Sequence, residues 1–303
     1  MFVSLGLLCV GVVEENFDRG CLREIMAVAD GLKDNQSELK AAPEITLEQA
    51  IANLRQTEDI GDRYYAAWWL GRYGTGTSEV ISLLLSALDD NENRASDGGF
   101  PLRRNAARAL GKVGNSSVVP ALIEALDCSD YYVREAATQS LEALNATESV
   151  EKLVSLLAGG VDAAVAVPGK PHLVQPYNAI LEALGGLKDD SVIPVISPFL
   201  NHETVQVKNA AARAMYQLTG QGSYAETLVD TLRCDDLQLR RSALLDLGEI
   251  GYLPAAGAIT QTLAENSIKL IALKGLLETE ISASGALVSA QGRKVMELMD
   301  SLL

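Results

Sequence analysis

Leu102-Arg-Arg-Asn-Ala-Ala-Arg-Ala-Leu-Gly-Lys-Val-Gly114, followed by Val118-Val-Pro-Ala-Leu-Ile-Glu-Ala-Leu126, decides the fold. Leu102, Ala106, Leu110 and Val113 recur every three or four residues, so on a helix they form one apolar stripe. Gly114 stops that helix, Pro120 opens the next, and Leu122, Ile123 and Leu126 give the second helix its own stripe. A pair of short helices with half-covered apolar faces cannot stand alone. It needs neighbours of the same kind.

The sequence supplies them. Taking Leu110 as reference, equivalent residues are Leu70, Leu110, Leu141, Leu184, Met215, Leu247 and Leu276, at intervals of 40, 31, 43, 31, 32 and 29 residues. A period near 31 with two longer units predicts an all-α, HEAT-like, right-handed solenoid of about six to seven helical hairpins. Small residues such as Ala106-Ala107 and Ala136-Ala137 let neighbouring helices approach closely. No alternating Val, Ile and Thr pattern suggests a strand. Residues 43–280 are expected to form the solenoid, 1–42 a poorly ordered extension, and 281–303 a helical cap or tail. Phe2–Val13 is too short an apolar run to span a bilayer and lacks the basic flank of a signal peptide, so no membrane insertion is expected.

The formal charge of −15 argues against nucleic acid or an anionic membrane as partner. The cysteines, Cys9, Cys21, Cys128 and Cys234, form no CxxC pair. Cys128 and Cys234 hold the same turn position three units apart, roughly 30 Å at ~10 Å per stacked pair, so no disulfide joins them. This suggests a reducing, cytoplasmic setting. With only His172 and His202 and no close thiol pair, no metal site is expected, and His202 reads as a solvated turn residue.

Two insertions interrupt the repeat. Asn91–Gly99 and Gly159–His172 both lie between the outer and inner helix of their units, the second and the fourth, so both should leave one rim about 20 Å apart, at ~10 Å per stacked pair. The third unit, between them, offers Tyr131, Tyr132 and Arg134 at that rim, and Phe100 aligns with Tyr131. Loops added on one edge of a rigid repeat read as a binding device, although surface loops also tolerate drift.

Other positions stay open. Arg103 and Arg134 begin inner helices beside Asp127 and Asp130, as in a structural Asp–Arg ladder. Arg104 and Arg241 are second arginines beyond what a ladder needs and read as anion-binding candidates. Trp68 aligns with Arg108 at a solvent-facing site and needs a cover, either the helix begun by the N-cap Thr46 or a ligand. The nearly all-apolar Ser267–Glu278 suggests a docking surface, or a helix that residues 286–303 cap. No Ser–His–Asp spacing, glycine-rich phosphate loop or HExxH motif is present, so the sequence gives no support to hydrolase, kinase or dehydrogenase chemistry.

Gly98-Gly-Phe-Pro-Leu-Arg-Arg-Asn-Ala-Ala-Arg-Ala-Leu-Gly111, Tyr131-Tyr-Val-Arg-Glu-Ala-Ala137, Pro168-Gly-Lys-Pro-His-Leu-Val-Gln-Pro-Tyr177 and Gly251-Tyr-Leu-Pro-Ala-Ala256 resemble the E/F family of phycobilin lyases, which is built from PBS lyase HEAT-like repeats. The resemblance runs from about Thr46 to Glu278 and includes both insertions. It implies one subunit of a heterodimer with an F-type chain, in the cytosol of cyanobacteria. Such an enzyme attaches phycocyanobilin through a thioether to a cysteine of the phycocyanin alpha subunit. The bilin is its substrate, with no prosthetic group. An isomerising phycoviolobilin lyase, a phycoerythrobilin lyase, or a non-enzymatic bilin or phycobiliprotein chaperone would share the same repeats.

Thiol addition to ring A of the bilin asks chiefly for orientation and shielding. From their position at the expected mouth, Arg103, Arg104, Arg134 and Lys170 would hold the propionates, and Phe100, Tyr131, Tyr132 and Tyr177 would wall the conjugated plane. Asp97 or Asp162 would hold the pyrrole N–H groups, and His172 would donate a proton.

Overall fold

In a computed structural model, residues 45–303 are described apart from 97 and 285–287. The expected extension at 1–42 lies outside the described residues, as does Asp97. Fifteen α-helices occur among the described residues: α1 Leu47–Arg55, α2 Ile60–Tyr73, α3 Ser78–Leu88, α4 Pro101–Val113, α5 Val119–Ala125, α6 Tyr131–Ala143, α7 Val150–Leu156, α8 Tyr177–Gly186, α9 Ile193–Ile196, α10 Val205–Thr219, α11 Gly222–Thr231, α12 Leu237–Ile250, α13 Ala256–Gln261, α14 Asn266–Ser284 and α15 Ala290–Asp300. The even-numbered helices α2 to α14 stack one on the next, and the odd-numbered ones cover one side of that row. This is the HEAT-like all-α solenoid, with seven covering–stacked pairs closed by α15.

The founding stretch folds as its pattern dictates. Leu102, Ala106 and Leu110 on α4 and Leu122 and Leu126 at α5 are all fully enclosed in one continuous core. Gly114 ends α4, its N–H donating to the Leu110 carbonyl, and Pro120 lies in the first turn of α5. Thr46 caps α1 in a capping box with Gln49.

Close stacking depends on more than the alanine pairs. One residue after the reference apolar position, Gly71 and Gly111 face the next stacked helix directly. A Cβ on Gly71 would lie 2.8 Å from Ala109 Cα, and one on Gly111 would meet Ser140. Ser140 uses that closeness to donate its hydroxyl to the Ala107 carbonyl at 2.9 Å. A side chain at Gly71 would force the helices apart. Overpacking of this kind costs about 1–3 kcal/mol.

At the C-terminal end, α14 runs to Ser284, past the expected boundary at 280. The helix α15 lies against α13 and α14 with Val295 buried, and Asn266 donates to the Leu302 carbonyl.

Candidate functional site at the rim of the solenoid

Loop 1, residues 89–100, joins α3 to α4, and loop 2, residues 157–176, joins α7 to α8. A continuous set of contacts links them, so they leave the same rim. The Phe100 N–H donates to Asp130 Oδ2 at 2.6 Å, and Asp130 Oδ1 accepts the Tyr132 N–H at 2.8 Å. Asp130 therefore caps α6 and ties down the start of α4 with a single carboxylate. Tyr131 and Tyr132 meet edge to face, and His172 of loop 2 stacks on Tyr131 at 4.2 Å and 13°. The same imidazole meets Tyr132 edge-on at 5.7 Å.

Loop 1 is organised by Asp90. Its carboxylate accepts the Asn93 N–H and side chain and pairs with Arg63 at 2.8 Å. Burial works against the ionised form of Asp90. The Asn93 and Arg63 donors outweigh that penalty and hold its pKa below the usual carboxylate value.

Loop 2 is a tight antiparallel excursion. Val174 N–H reaches the Val165 carbonyl, Ala166 bridges Leu173, and Val167 N–H reaches the His172 carbonyl. Its tip is the turn Val167-Pro-Gly-Lys170, closed by the Lys170 N–H to the Val167 carbonyl at 3.0 Å. Gly169 there has φ +74°, the conformation that the third residue of a type II turn demands.

Both feet of loop 2 are clamped. Arg134 donates to the Val174 carbonyl at 2.8 Å and to Gln175 Oε1 at 2.9 Å, and a third bond runs to the Cys128 carbonyl at 2.7 Å. Desolvation lowers the Arg134 pKa, against the opposing influence of Cys128, Asp130 and Tyr131. At the other foot, His202, only 8% exposed, accepts the Thr204 N–H on Nδ1. That leaves Nε2–H to donate to the Ala164 carbonyl at 3.1 Å.

Several expected roles are thereby corrected. Phe100 and Tyr177, each 2% exposed, are core side chains and present no open wall. Phe100 sits beneath Arg94 and Arg103, at 4.6 and 5.2 Å from ring to guanidinium. Tyr177 packs on Phe199, and burial raises its phenol pKa. The Asp–Arg ladder is absent at Arg134, which binds carbonyls while Asp127 pairs with Lys152. Arg240 makes the equivalent bond to the Cys234 carbonyl at 2.7 Å, so the two turns share one backbone clamp. Arg103 bonds Asn91 Oδ1 at 3.0 Å and so braces loop 1. Arg241 holds Glu265 through two bonds, so it is not an open anion site. His202 is a buried clamp and not a solvated turn residue.

Of the expected set, Arg104, Tyr131, Tyr132 and His172 come together at the mouth. Arg104 lies between two tyrosines, with Nη2 3.5 Å from Tyr64 Oη and its guanidinium 5.8 Å from the Tyr132 ring centroid. Its Nε is buried without a partner, and no carboxylate among the described residues pairs with it. The His172 Nδ1–H donates to the Leu173 carbonyl at 2.8 Å, which directs Nε2 to any proton transfer. Asp162 and Lys170 are exposed on loop 2, and no described contact joins either to this cluster. Among the described residues the geometry offers a cation without a counter-ion, flanked by aromatic rings and an imidazole. Such a mouth suits a flat, anionic, conjugated molecule.

A model of HEAT repeats matches residues 94–166, and a model of the PBS lyase HEAT-like repeat matches residues 62–90. Fold and rim together define a solenoid of the PBS lyase HEAT-like repeat class. The phycocyanobilin lyase subunit alpha of Picosynechococcus sp. is 54% identical over 267 residues, covering 88% of this chain and all of the relative. That of Nostoc sp. is 58% identical over 263 residues, covering 86% of this chain and 95% of the relative. The bilin biosynthesis protein RpcE of a Synechococcus species is 41% identical over 273 residues, covering 89% and 99%. The chain belongs to the family of phycocyanobilin lyase alpha subunits. A solved complex of CpcE and CpcF of phycocyanin lyase from Nostoc sp. contains a chain of the same fold, with TM-score 0.81, 55% identity, and coverage of 89% of this chain and 99% of that one.

Proposed function

We propose that this chain is the alpha subunit of a heterodimeric bilin lyase, which attaches phycocyanobilin through a thioether to a cysteine of the phycocyanin alpha subunit. The observation that carries the reading is identity of 54–58% to phycocyanobilin lyase alpha subunits over 86–88% of this chain. The isomerising and phycoerythrobilin readings are secondary, because the relatives of 54–58% identity are phycocyanobilin lyase alpha subunits. The partner is an F-type subunit, as in the complex of similar fold. The setting is the cyanobacterial cytosol. Among the described residues no helix is long and apolar enough to cross a membrane.

The reaction is a net addition. The acceptor thiol loses its proton, sulfur bonds the exocyclic carbon of the ring A double bond, and the proton returns to the pigment, so no oxidant is consumed. Free bilin reacts with thiols unaided, and the protein's task is to fix one geometry and exclude side reactions. In this reading Arg104 takes a propionate and Tyr131 and Tyr132 support the conjugated plane. His172 Nε2 handles the proton. Asp162 and Lys170 approach from loop 2 when substrate arrives. Arg103, Arg134, Phe100 and Tyr177 act indirectly, by holding the loops in place.

Co-expression with the F-type subunit, a phycocyanin alpha subunit and a bilin source tests this directly. Expected is a covalent, red-fluorescent product with the absorption of attached phycocyanobilin. A shifted absorption colour would identify an isomerising or phycoerythrobilin lyase. Loss of bilin from preformed holoprotein would identify a chaperone or bilin-removing protein.

A further inference from the structure

Beyond the mouth, the rim carries five apolar side chains in solvent. Val165 and Val174 lie on loop 2, Val205 and Leu237 are the first residues of α10 and α12, and Leu263 precedes α14. They are 36–81% exposed, and they make up five of the ten large apolar side chains that stand in solvent among the described residues. Single exposed apolar residues are ordinary, but a contiguous series is not. The first turn of a helix favours acidic residues or proline, so its stability does not call for Val205 or Leu237.

Described contacts join the five into one row. The Val174 N–H donates to the Val165 carbonyl at 3.0 Å, which sets the two valines side by side. His202 links Val165 to Val205, because its imidazole holds the Ala164 carbonyl on one nitrogen and the Thr204 N–H on the other. The helices α10 and α12 are in contact, and Arg240 of α12 donates to the Leu263 carbonyl at 2.9 Å. At ~10 Å per stacked pair, the row from loop 2 to Leu263 is about 30 Å long. A helix rises about 1.5 Å per residue, so that length is about 20 residues, and the spacing of the row matches one apolar residue in about every seven on one helix face. Glu203 and Asp235 are exposed beside Val205 and Leu237, with no described ion pair for either, and Lys208 lies in the next turn of α10. The margin of the row is therefore mainly acidic, in a chain of formal charge −15.

From this geometry we infer that the row is the docking surface for an amphipathic, basic-flanked helix of the acceptor protein, laid along the rim with its cysteine end at loop 2. The inference rests on the lyase reading given above. The row begins beside Tyr131 and His172, and it is the acceptor that must bring a thiol to the pigment there. Its test uses the heterodimer with the bilin-free phycocyanin alpha subunit as probe. Val205→Glu combined with Leu237→Glu should weaken acceptor binding about ten-fold or more and raise KM for the acceptor alike. KM for phycocyanobilin and elution of the heterodimer should stay unchanged. Leu263→Glu, at the most exposed of the five, should act in the same direction with no effect on melting temperature, which separates docking from folding. Acceptor binding should also weaken as salt is raised. Unaltered acceptor affinity and KM in both variants would overturn the inference. Release of the F-type subunit would overturn it too and make the row a subunit interface. A wild-type heterodimer that neither binds the acceptor nor forms an adduct would instead overturn the functional reading.

Discussion

The chain contains the tripeptide Leu-Arg-Arg at the start of two stacked helices, at Leu102-Arg-Arg104 and Leu239-Arg-Arg241, and uses it in opposite ways. In the second copy Arg240 binds two carbonyls, from Leu263 and Cys234, and Arg241 is held by both oxygens of Glu265. In the first copy Arg103 braces an inserted loop, while Arg104 rests between Tyr64 and Tyr132 with no carboxylate among the described residues. The open face of the stacked row divides accordingly. In its C-terminal part Arg213 and Arg241 are both paired with glutamates. Its N-terminal part retains a cation among aromatic rings that no described carboxylate pairs. Leaving a half-buried guanidinium without a described counter-ion forgoes stabilisation, and functional sites are where such a sacrifice is found.

The largest expected effect comes from removing that difference. Arg104→Ala combined with Tyr132→Ala should abolish bilin attachment while far-ultraviolet circular dichroism shows unchanged helix content. Arg241→Ala in the equivalent position should leave attachment within about two-fold and instead lower the melting temperature by a few degrees. Attachment that survives the first variant and fails in the second would reverse the assignment of the two halves.

Next in size is the buried hub. Arg213→Met would leave Glu142, Glu182 and Glu249 without their shared cation and should cost about 3 kcal/mol or more by denaturant unfolding. A cost below 1 kcal/mol would show that the C-terminal half does not depend on internal neutralisation.

The clamps of loop 2 come third. His202→Ala and Arg134→Ala should each cost roughly 1–2 kcal/mol and speed amide hydrogen exchange at residues 161–175, with little change in α12 or α14. Uniform acceleration along the chain would show that these residues stabilise the solenoid and not the loop.

The smallest effect is on acid stability. The Arg241 hydrogen bond depresses the Glu265 pKa against its own desolvation, and Asp90 is depressed as well. A carboxylate whose folded pKa lies below its unfolded value contributes stability above the unfolded value and loses it as pH falls through the folded one. The melting temperature should therefore decline once the pH drops through the ordinary carboxylate range, and Glu265→Gln should flatten part of that decline. No flattening would mean that Arg241 and Glu265 are not coupled in solution.

The fold was legible because it rests on local spacing. The stripe through Leu102, Ala106 and Leu110 and the recurrence of the reference residue need only neighbours in sequence, and every reference position is indeed buried. The common rim of the two loops was legible for the same reason, since both interrupt the same joint of the repeat. What could not be read were the partners of polar side chains across the fold. Arg134 meets Val174 and Gln175 some 40 residues on, and His202 meets Ala164 38 residues back. A signal for His202 was present nonetheless, because it occupies the turn position of Cys128 and Cys234, thirteen residues before its reference Met215. Phe100 and Tyr177 were misplaced because aromaticity at a loop junction does not tell whether a ring faces the mouth or anchors the loop from below.

In the proposed function the pigment lies on the open face of α2, α4 and α6 beneath the two loops. Hydrogen exchange of the heterodimer with and without phycocyanobilin tests it most directly. Protection should appear in α2, the first turns of α4 and α6, and loop 2, and be absent from α10 to α14. Protection confined to α10–α14, or none in this chain while its partner is protected, would contradict it.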